Sequence, residues 1–307
     1  MNKGKKNTHK VLVFGALNID YVYQMEQFVQ AKETVSSLGR QSFCGGKGLN
    51  QAIAISKSGV EVWQAGAVGD NDSAMLYRSL EEAGVHTELI MKKEGSSGHA
   101  IIQNIPDGEN CIILYGGANQ DITRKDVDDV LSHFETGDLI VLQNEISQLS
   151  YIMETAHERG MTIVLNPSPM NEVIFTLPLD YADYLIVNEV EGKALCAGDT
   201  RESCTGEELL DSLMKKLPDV KIILTLGAEG SMYGYHKERC YQRAINVHAI
   251  DTTAAGDTYT GFFIGSLLQG QDVATALNTA SKASAIAVSR RGASSSIPSI
   301  KEVRSWK

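Results

Sequence analysis

The sequence has no apolar run long enough to cross a bilayer: stretches such as "VLVFGAL" and "FFIGSLL" end after a few residues, where a span needs about 20. Cysteine is scarce and unpatterned. The five residues (Cys44, Cys111, Cys196, Cys204, Cys240) are odd in number and form no CxxC pair, which argues for reduced thiols rather than a disulfide framework. The seven histidines are scattered without ligand spacing, so a zinc site has no support. Basic charge is also short, with 28 Lys and Arg against 38 Asp and Glu and a net charge of −10. A general nucleic-acid partner needs the opposite balance. Two nucleotide signatures are missing. No G-x-G-x-x-G follows the first apolar run, which weakens a dinucleotide-binding dehydrogenase, and Lys47 is followed by Gly48 rather than Ser or Thr, which excludes a Walker A loop. The basic start "MNKGKKNTHK" leads into an apolar run with no small-residue cleavage site. Residues 1–9 are therefore expected to be a flexible tail and the protein cytoplasmic, with no membrane partner.

What is present is an alternation of short apolar runs and helical patterns, the mark of a mostly parallel sheet covered by helices. "KVLVFG" (10–15), "LIVLQ" (139–143), "MTIVL" (161–165), "YLIVN" (184–188) and "KIILTL" (221–226) read as buried strands. Val127, Val130, Leu131 and Phe134 share a helical face, as do Ile152, Met153 and Ala156, and Gly160 closes the second helix. The chain is expected to be helical from about 256 to 290, with a break near Gly270. Two regions depart from the rhythm. Residues 20–43 read as strands without an intervening helix, and 99–115 as a hairpin, "HAIIQN" and "NCIILY" around "IPDGEN". Together they predict a small β flap over the carboxyl ends of the main strands, where open α/β sheets bind ligands. With no linker, repeat or low-complexity segment, one domain over 10–307 carrying a lid from about 20–43 and 99–115 is expected.

Several stretches carry polar groups at strand ends. "CGGKGLNQA" (44–52) combines Gly45, Gly46 and Gly48, which let a backbone come close to a ligand, with the donors of Lys47 and Asn50. A glycine-rich turn whose Asn50 merely caps a helix explains it equally well. In "GALNID", Asn18 and Asp20 alternate after a strand and can line one pocket, or simply form an Asx turn. "LQNE" ends a strand in Glu145, "VNEVE" does so with Asn188 and Glu191, and "TLG" supplies Thr225 and Gly227. "DTTAAGDTYTG" (251–261) then sets small residues before an apolar helix, exposing the backbone N–H groups of 254–257 where a helix terminus favours a phosphate. Asp257 stands beside that phosphate, where a base takes a proton from an attacking hydroxyl.

On these motifs the chain resembles the ribokinase-like (phosphofructokinase-B) sugar kinases, from about Lys10 to Pro298, and within them the ribokinase group most closely. "GALNID", "GGKGLNQA" with later glycines at 59 and 69, "GGAN" (116–119), "LNPSP" (165–169), "VNEVE", "DTTAAGD" and "IAVSRRGA" (286–293) fall in that group's order. The resemblance implies a three-layer α/β/α fold with a β lid. It also implies an ATP-dependent sugar kinase, a phosphotransferase to the 5-hydroxyl of D-ribose. Another sugar, a sugar acid or a nucleoside is the alternative acceptor, and a non-catalytic sugar sensor is a third reading. Asp257 matches the base, and Ala254, Ala255 and Gly256 the anion hole. Asn18, Asp20, Gly46, Lys47, Asn50 and Glu145 match sugar-gripping positions. Asn188 and Glu191 match the motif that organises Mg²⁺ through water, and Thr225 and Gly227 a nucleotide loop. An activating K⁺ would take Asp251 and Ser296 through side chains, with carbonyls of Thr253, Ala287, Arg290 and Gly292. A homodimer through the lid strands is expected by resemblance. His99 stands where the group usually has a small apolar residue over the sugar. Phe262 replaces a small residue, and Ser281 and Lys282 replace groups that face adenine.

Overall fold

A computed structural model of the chain describes residues 9–107, 109–197 and 204–306. The flap hairpin's Gly108 and most of the expected tail lie outside those residues. In chain order come β1 (Val11–Phe14), β2 (Asn18–Gln24), β3 (Gly39–Gly45) and α1 (Lys47–Lys57), then β4 (Trp63–Gly69), α2 (Ala74–Glu82) and β5 (His86–Lys93). The hairpin β6 (Gly98–Asn104) and β7 (Asn110–Tyr115) precedes α3 (Arg124–Leu131), β8 (Leu139–Gln143), α4 (Leu149–Glu158) and β9 (Thr162–Asn166). After β10 (Tyr184–Asn188), α5 (Glu189–Leu195) and α6 (Gly206–Lys216) come β11 (Lys221–Thr225), β12 (Gly230–Tyr235) and β13 (Glu238–Arg243). The chain ends with α7 (Ala255–Leu268), α8 (Val273–Val288) and α9 (Ile300–Ser305).

Nine strands form one sheet in the order β13-β12-β11-β10-β9-β8-β1-β4-β5, parallel except where β12 pairs antiparallel with β11 and β13. The expected strands all lie within it. Alternation along them sorts the two cores. Leu12, Phe14, Ile140, Leu142, Leu165 and Val187 join the layer of α3 to α6, while Val13, Val141, Val164, Ile186 and Ile223 join the layer containing α1, α2, α7, α8 and α9. Both faces are covered, which is why the strand sequences are apolar nearly throughout. The edge hairpin β12–β13 was not apparent in the sequence, because "GSMYGYHKERCYQR" mixes small, aromatic and charged residues without a clean period.

The lid is a separate four-stranded sheet, β3-β2-β6-β7, with β2 parallel to β6. Its position follows from Asn119, whose Oδ1 accepts from Leu17 N–H at 3.2 Å while its Nδ2 donates to Asn18 Oδ1 at 2.7 Å. Those bonds fix the start of β2 just beyond the end of β1. Phe262 is fully buried in the helical layer, so its size serves packing.

Candidate active site

The site forms where β1, β8, β9, β10 and β11 end and α1 and α7 begin. Gly46 precedes α1 at φ 92°, and a Cβ there would sit 2.6 Å from the carbonyl of Ala16. Only glycine allows that turn. A Cβ on Gly45 would meet the Asp20 carboxylate at 2.2 Å, so the carboxylate of β2 lies directly over this backbone. Asn50 is not a cap: it lies one turn into α1, 5% exposed, and its Nδ2 donates to Asp257 Oδ2 at 3.0 Å. Gln51 donates from Nε2 to the other oxygen, Asp257 Oδ1, at 2.9 Å. Asn50 Oδ1 is buried without a partner among the described residues.

Asp257 occupies the first turn of α7 and is 6% exposed. The N-cap, Ala254, has φ 57°, a left-handed conformation that costs a non-glycine residue about 1–3 kcal/mol. No side chain caps this end. The exposed amide row expected over 254–257 is modified in one respect, because Ala255 N–H turns to Thr252 O at 3.2 Å. The amides of Gly256 and Asp257 remain as first-turn donors without an intrahelical acceptor. They face a cleft of about 210 Å³ whose lining includes Lys47, Asn188, Glu191, Thr225, Ala254 and Asp257.

Charge is concentrated around Lys47. Its backbone N–H donates to Glu145 Oε2 at 2.8 Å. Burial would lower its ammonium, but the carboxylates of Asp257, Glu145 and Glu191 outweigh this and hold it above its usual range. Burial pushes Glu145 up to about 7 against the pull of Lys47, and burial raises Asp20 to about 6. Glu145 lies in the turn after β8, two residues past the strand end at Gln143, rather than on the strand.

The other expected residues are placed as follows. Asn188 and Glu191 line the cleft and also cap α5 reciprocally, with Glu191 N–H on Asn188 Oδ1 at 2.8 Å and Asn188 N–H on Glu191 Oε2 at 3.0 Å. Thr225 ends β11, its hydroxyl 3.4 Å from Val187 O, and Gly227 follows at φ 56°. Behind α7, Asp251 accepts Thr253 N–H and Gly292 N–H, each at 2.9 Å; burial raises its carboxyl, but the Thr253 hydroxyl and these amides outweigh that and hold it below the usual range. Ile250 N–H and Asp251 N–H both reach Val288 O, joining this loop to the segment holding Ala287, Arg290, Gly292 and Ser296. Ser296 is buried, its hydroxyl on Ala293 O at 2.8 Å. Among the described residues no group of three or more His, Cys, Asp or Glu is arranged to hold a metal ion.

His99 lies on the opposite face of the lid from Asp20. In the lid register it pairs with Ile19 and Tyr115, one position out of phase with Asp20 and Ala100, and its ring lies against Tyr21 and Tyr115. Lys282 likewise lines a different cavity, of about 420 Å³, shared with Gln242, Gln271, Asn278 and Arg304. That cavity is the larger, but no carboxylate lines it, so the chemistry belongs to the smaller cleft. Gln51, Gln143, Asn166 and Asn119 were not singled out in the sequence. All four sit inside quoted motifs, but nothing in their spacing shows which way their amides turn.

The comparisons agree with this geometry. Residues 8–300 match the pfkB family carbohydrate kinase description. The chain belongs to that family. This pfkB-family kinase is 32% identical over 305 residues to the ribokinase of Staphylococcus aureus (strain COL), covering 96% of this chain and 99% of that one. It is 30% identical over 307 residues to the deoxyribokinase of Salmonella typhi, covering 96% and 98%. Among solved structures, the Arabidopsis thaliana ribokinase complexed with ribose and ATP matches with a TM-score of 0.84 at 26% identity, covering 96% of this chain and 97% of that one. Among the described residues no helix is long and apolar enough to cross a membrane.

Proposed function

We infer that this kinase is an ATP-dependent ribokinase, moving the γ-phosphoryl group of ATP to the 5-hydroxyl of D-ribose. The observation that carries the reading is the position of Asp257. It lies at the N-terminus of α7, bonded to Asn50 on the lid side and lining the cleft of Asn188, Glu191 and Thr225 on the other. A base at that junction touches the attacking hydroxyl and adjoins the phosphoryl group.

In this reading Asn18, Asp20, Gly46, Lys47, Asn50 and Glu145 grip the sugar, with ionised Asp20 and Glu145 accepting from its hydroxyls. Asp257 takes the proton of the 5-hydroxyl. Ala254, Ala255 and Gly256 form the anion hole, the charge developing on the transferring group being met by amides already oriented. The Lys47 ammonium lines the same cleft and adds positive charge. Thr225 and Gly227 border the nucleotide.

Glu191 fits a role toward Mg²⁺: it is buried at the cleft, and Asn188 occupies only one of its two oxygens. Mg²⁺ held there through water by Asn188 and Glu191 would neutralise the nucleotide phosphates. The K⁺ reading is supported by Asp251, whose carboxyl is held below its usual range and whose loop is joined to the 287–292 segment through Val288 O and Gly292 N–H. A cation there would hold the anion-hole loop in place. We further propose a homodimer through the lid, whose edge strand β7 exposes Ile112, Ile113, Leu114 and Tyr115.

The likeness to a deoxyribokinase favours one second reading, a 2-deoxy sugar as acceptor. The test is ATP consumption with Mg²⁺ and K⁺, comparing ribose, deoxyribose, fructose, 2-keto-3-deoxygluconate, adenosine and pseudouridine, with Asp257→Asn as control. Asp257-dependent turnover strongest on ribose supports the ribokinase reading. Preference for deoxyribose moves the assignment to the second reading, and silence across the panel overturns both.

A further inference from the structure

Behind Asp257 lies a chain of side-chain amides that the reaction as outlined does not use. Gln51 and Gln143 are both fully buried. Gln143 Nε2, at the end of β8, donates to Gln51 Oε1 at 2.7 Å, and Gln51 Nε2 donates to Asp257 Oδ1 at 2.9 Å. The same Nε2 lies 3.2 Å from Asn166 Oδ1 at the end of β9, and Asn166 Nδ2 donates to Ile186 O in β10 at 2.8 Å. Asp257 is thereby tied to three central strands as well as to its own helix.

The direction of the bonds from Gln143 through Gln51 to Asp257 follows from one fact: an ionised carboxylate only accepts. Gln51 must therefore turn its N–H to Asp257, which points its carbonyl at Gln143. Gln143 must then turn its own N–H inward, and its Oε1 is left over. That oxygen is buried without a partner among the described residues and lies over Gly15, where a Cβ would come within 1.9 Å of it. A buried orphan acceptor is what a chain oriented from the carboxylate outward produces at its far end. Packing alone gives no reason to place two fully buried glutamines in series.

We propose that Gln51 and Gln143 are positioning residues for the Asp257 base. Gln51 holds one carboxylate oxygen so that the remaining lone pairs face the acceptor hydroxyl, and Gln143 fixes the rotation of Gln51. Amides neither take up nor release protons here, so the chain carries no proton and acts through orientation only. The inference rests on Asp257 being the base.

The experiment compares Gln51→Met and Gln143→Met with wild type and Asp257→Asn. It measures kcat and KM for ribose, the pH profile of kcat/KM, and the melting temperature. For Gln51→Met, kcat should fall about 10- to 100-fold, the scale of a misplaced catalytic group, with KM little changed. The acid limb of the profile should move to higher pH, because the carboxylate has lost a donor that favours its ionised form. The other charged groups around the base, Lys47, Glu145, Asp20 and Glu191, are the same in both variants. Gln143→Met should show the same two changes, smaller. In an Asp257→Asn background the Gln51→Met loss should vanish, since a positioning residue has nothing left to position.

Wild-type kcat and an unmoved acid limb in Gln51→Met, with Asp257→Asn inactive, would overturn the positioning role and leave the base intact. Full turnover by Asp257→Asn would remove the base and this inference with it. Should Gln51→Met fail to fold, Gln143→Met decides alone: a folded variant with an unmoved acid limb overturns the proposal.

Discussion

At the scale of single residues the site holds its carboxylates at a cost. Asp20 is raised from 3.8 to about 6 and Glu145 from 4.5 to about 7, both chiefly by burial. A carboxyl whose folded pKa lies above its unfolded value stabilises the fold below the unfolded pKa, and this stability is lost as pH rises through the folded pKa. The ligand-free protein should therefore lose stability between about pH 4 and pH 7 through these two groups. Melting temperatures across that range test it: Asp20→Asn and Glu145→Gln should each flatten the decline, and an unchanged slope in both removes the assignment. Under the proposed function, sugar hydroxyls donating to Asp20 and Glu145 would favour the ionised forms that burial opposes. Asp20→Ala is accordingly expected to raise KM for ribose about tenfold to a hundredfold, the scale of bonds to a charged group, with a smaller change in kcat. An unchanged KM would separate Asp20 from the sugar.

At the scale of elements the decisive contact is between α1 and α7. Asp257 and Gly261 lie four residues apart on one stripe of α7, as Asn50 and Ala54 do on α1. A Cβ on Gly261 would lie 2.3 Å from Ala54 Cβ and 2.8 Å from Ile55 N, so the helices touch at backbone distance one turn below Asp257. Gly261→Val should wedge them apart, costing about 1–3 kcal/mol of stability and lowering kcat by separating Asn50 and Gln51 from Asp257. Chemical denaturation and steady-state kinetics on one preparation check both. A variant with lost stability but full kcat would show that the proposed role of Asp257 does not depend on this crossing.

For the whole molecule, two features join distant parts of the chain. The lid leaves the apolar strand β7 at its edge, with Leu114 64% exposed, an arrangement that invites pairing with another strand. Sedimentation should show a dimer that Leu114→Arg shifts toward monomer; a wild-type monomer would exclude the proposed interface. The Asp251 carboxylate joins the start of α7 to the segment around Gly292, the two parts of the proposed K⁺ site. Replacing K⁺ by Li⁺ should slow turnover, and an unaffected rate would remove the cation from the mechanism.

Local chemistry determined much of this protein in advance. Apolar runs marked the parallel strands because a strand covered on both faces needs little polar alternation. Small residues before "FFIGSLL" marked a helix start with uncapped backbone donors, because nothing bulky stands in front of them. Asp257, Asn18, Asp20, Lys47 and Asn50 were legible because short motifs hold them at strand or helix ends. Only the tertiary structure decided what they touch. Gln51 meets Asp257 across 206 residues of chain and Gln143 across 92. His99 turns away because its register sets it out of phase with Asp20. Hydrogen bonds between remote side chains depend on how helices cross and strands align, and no local pattern records that geometry.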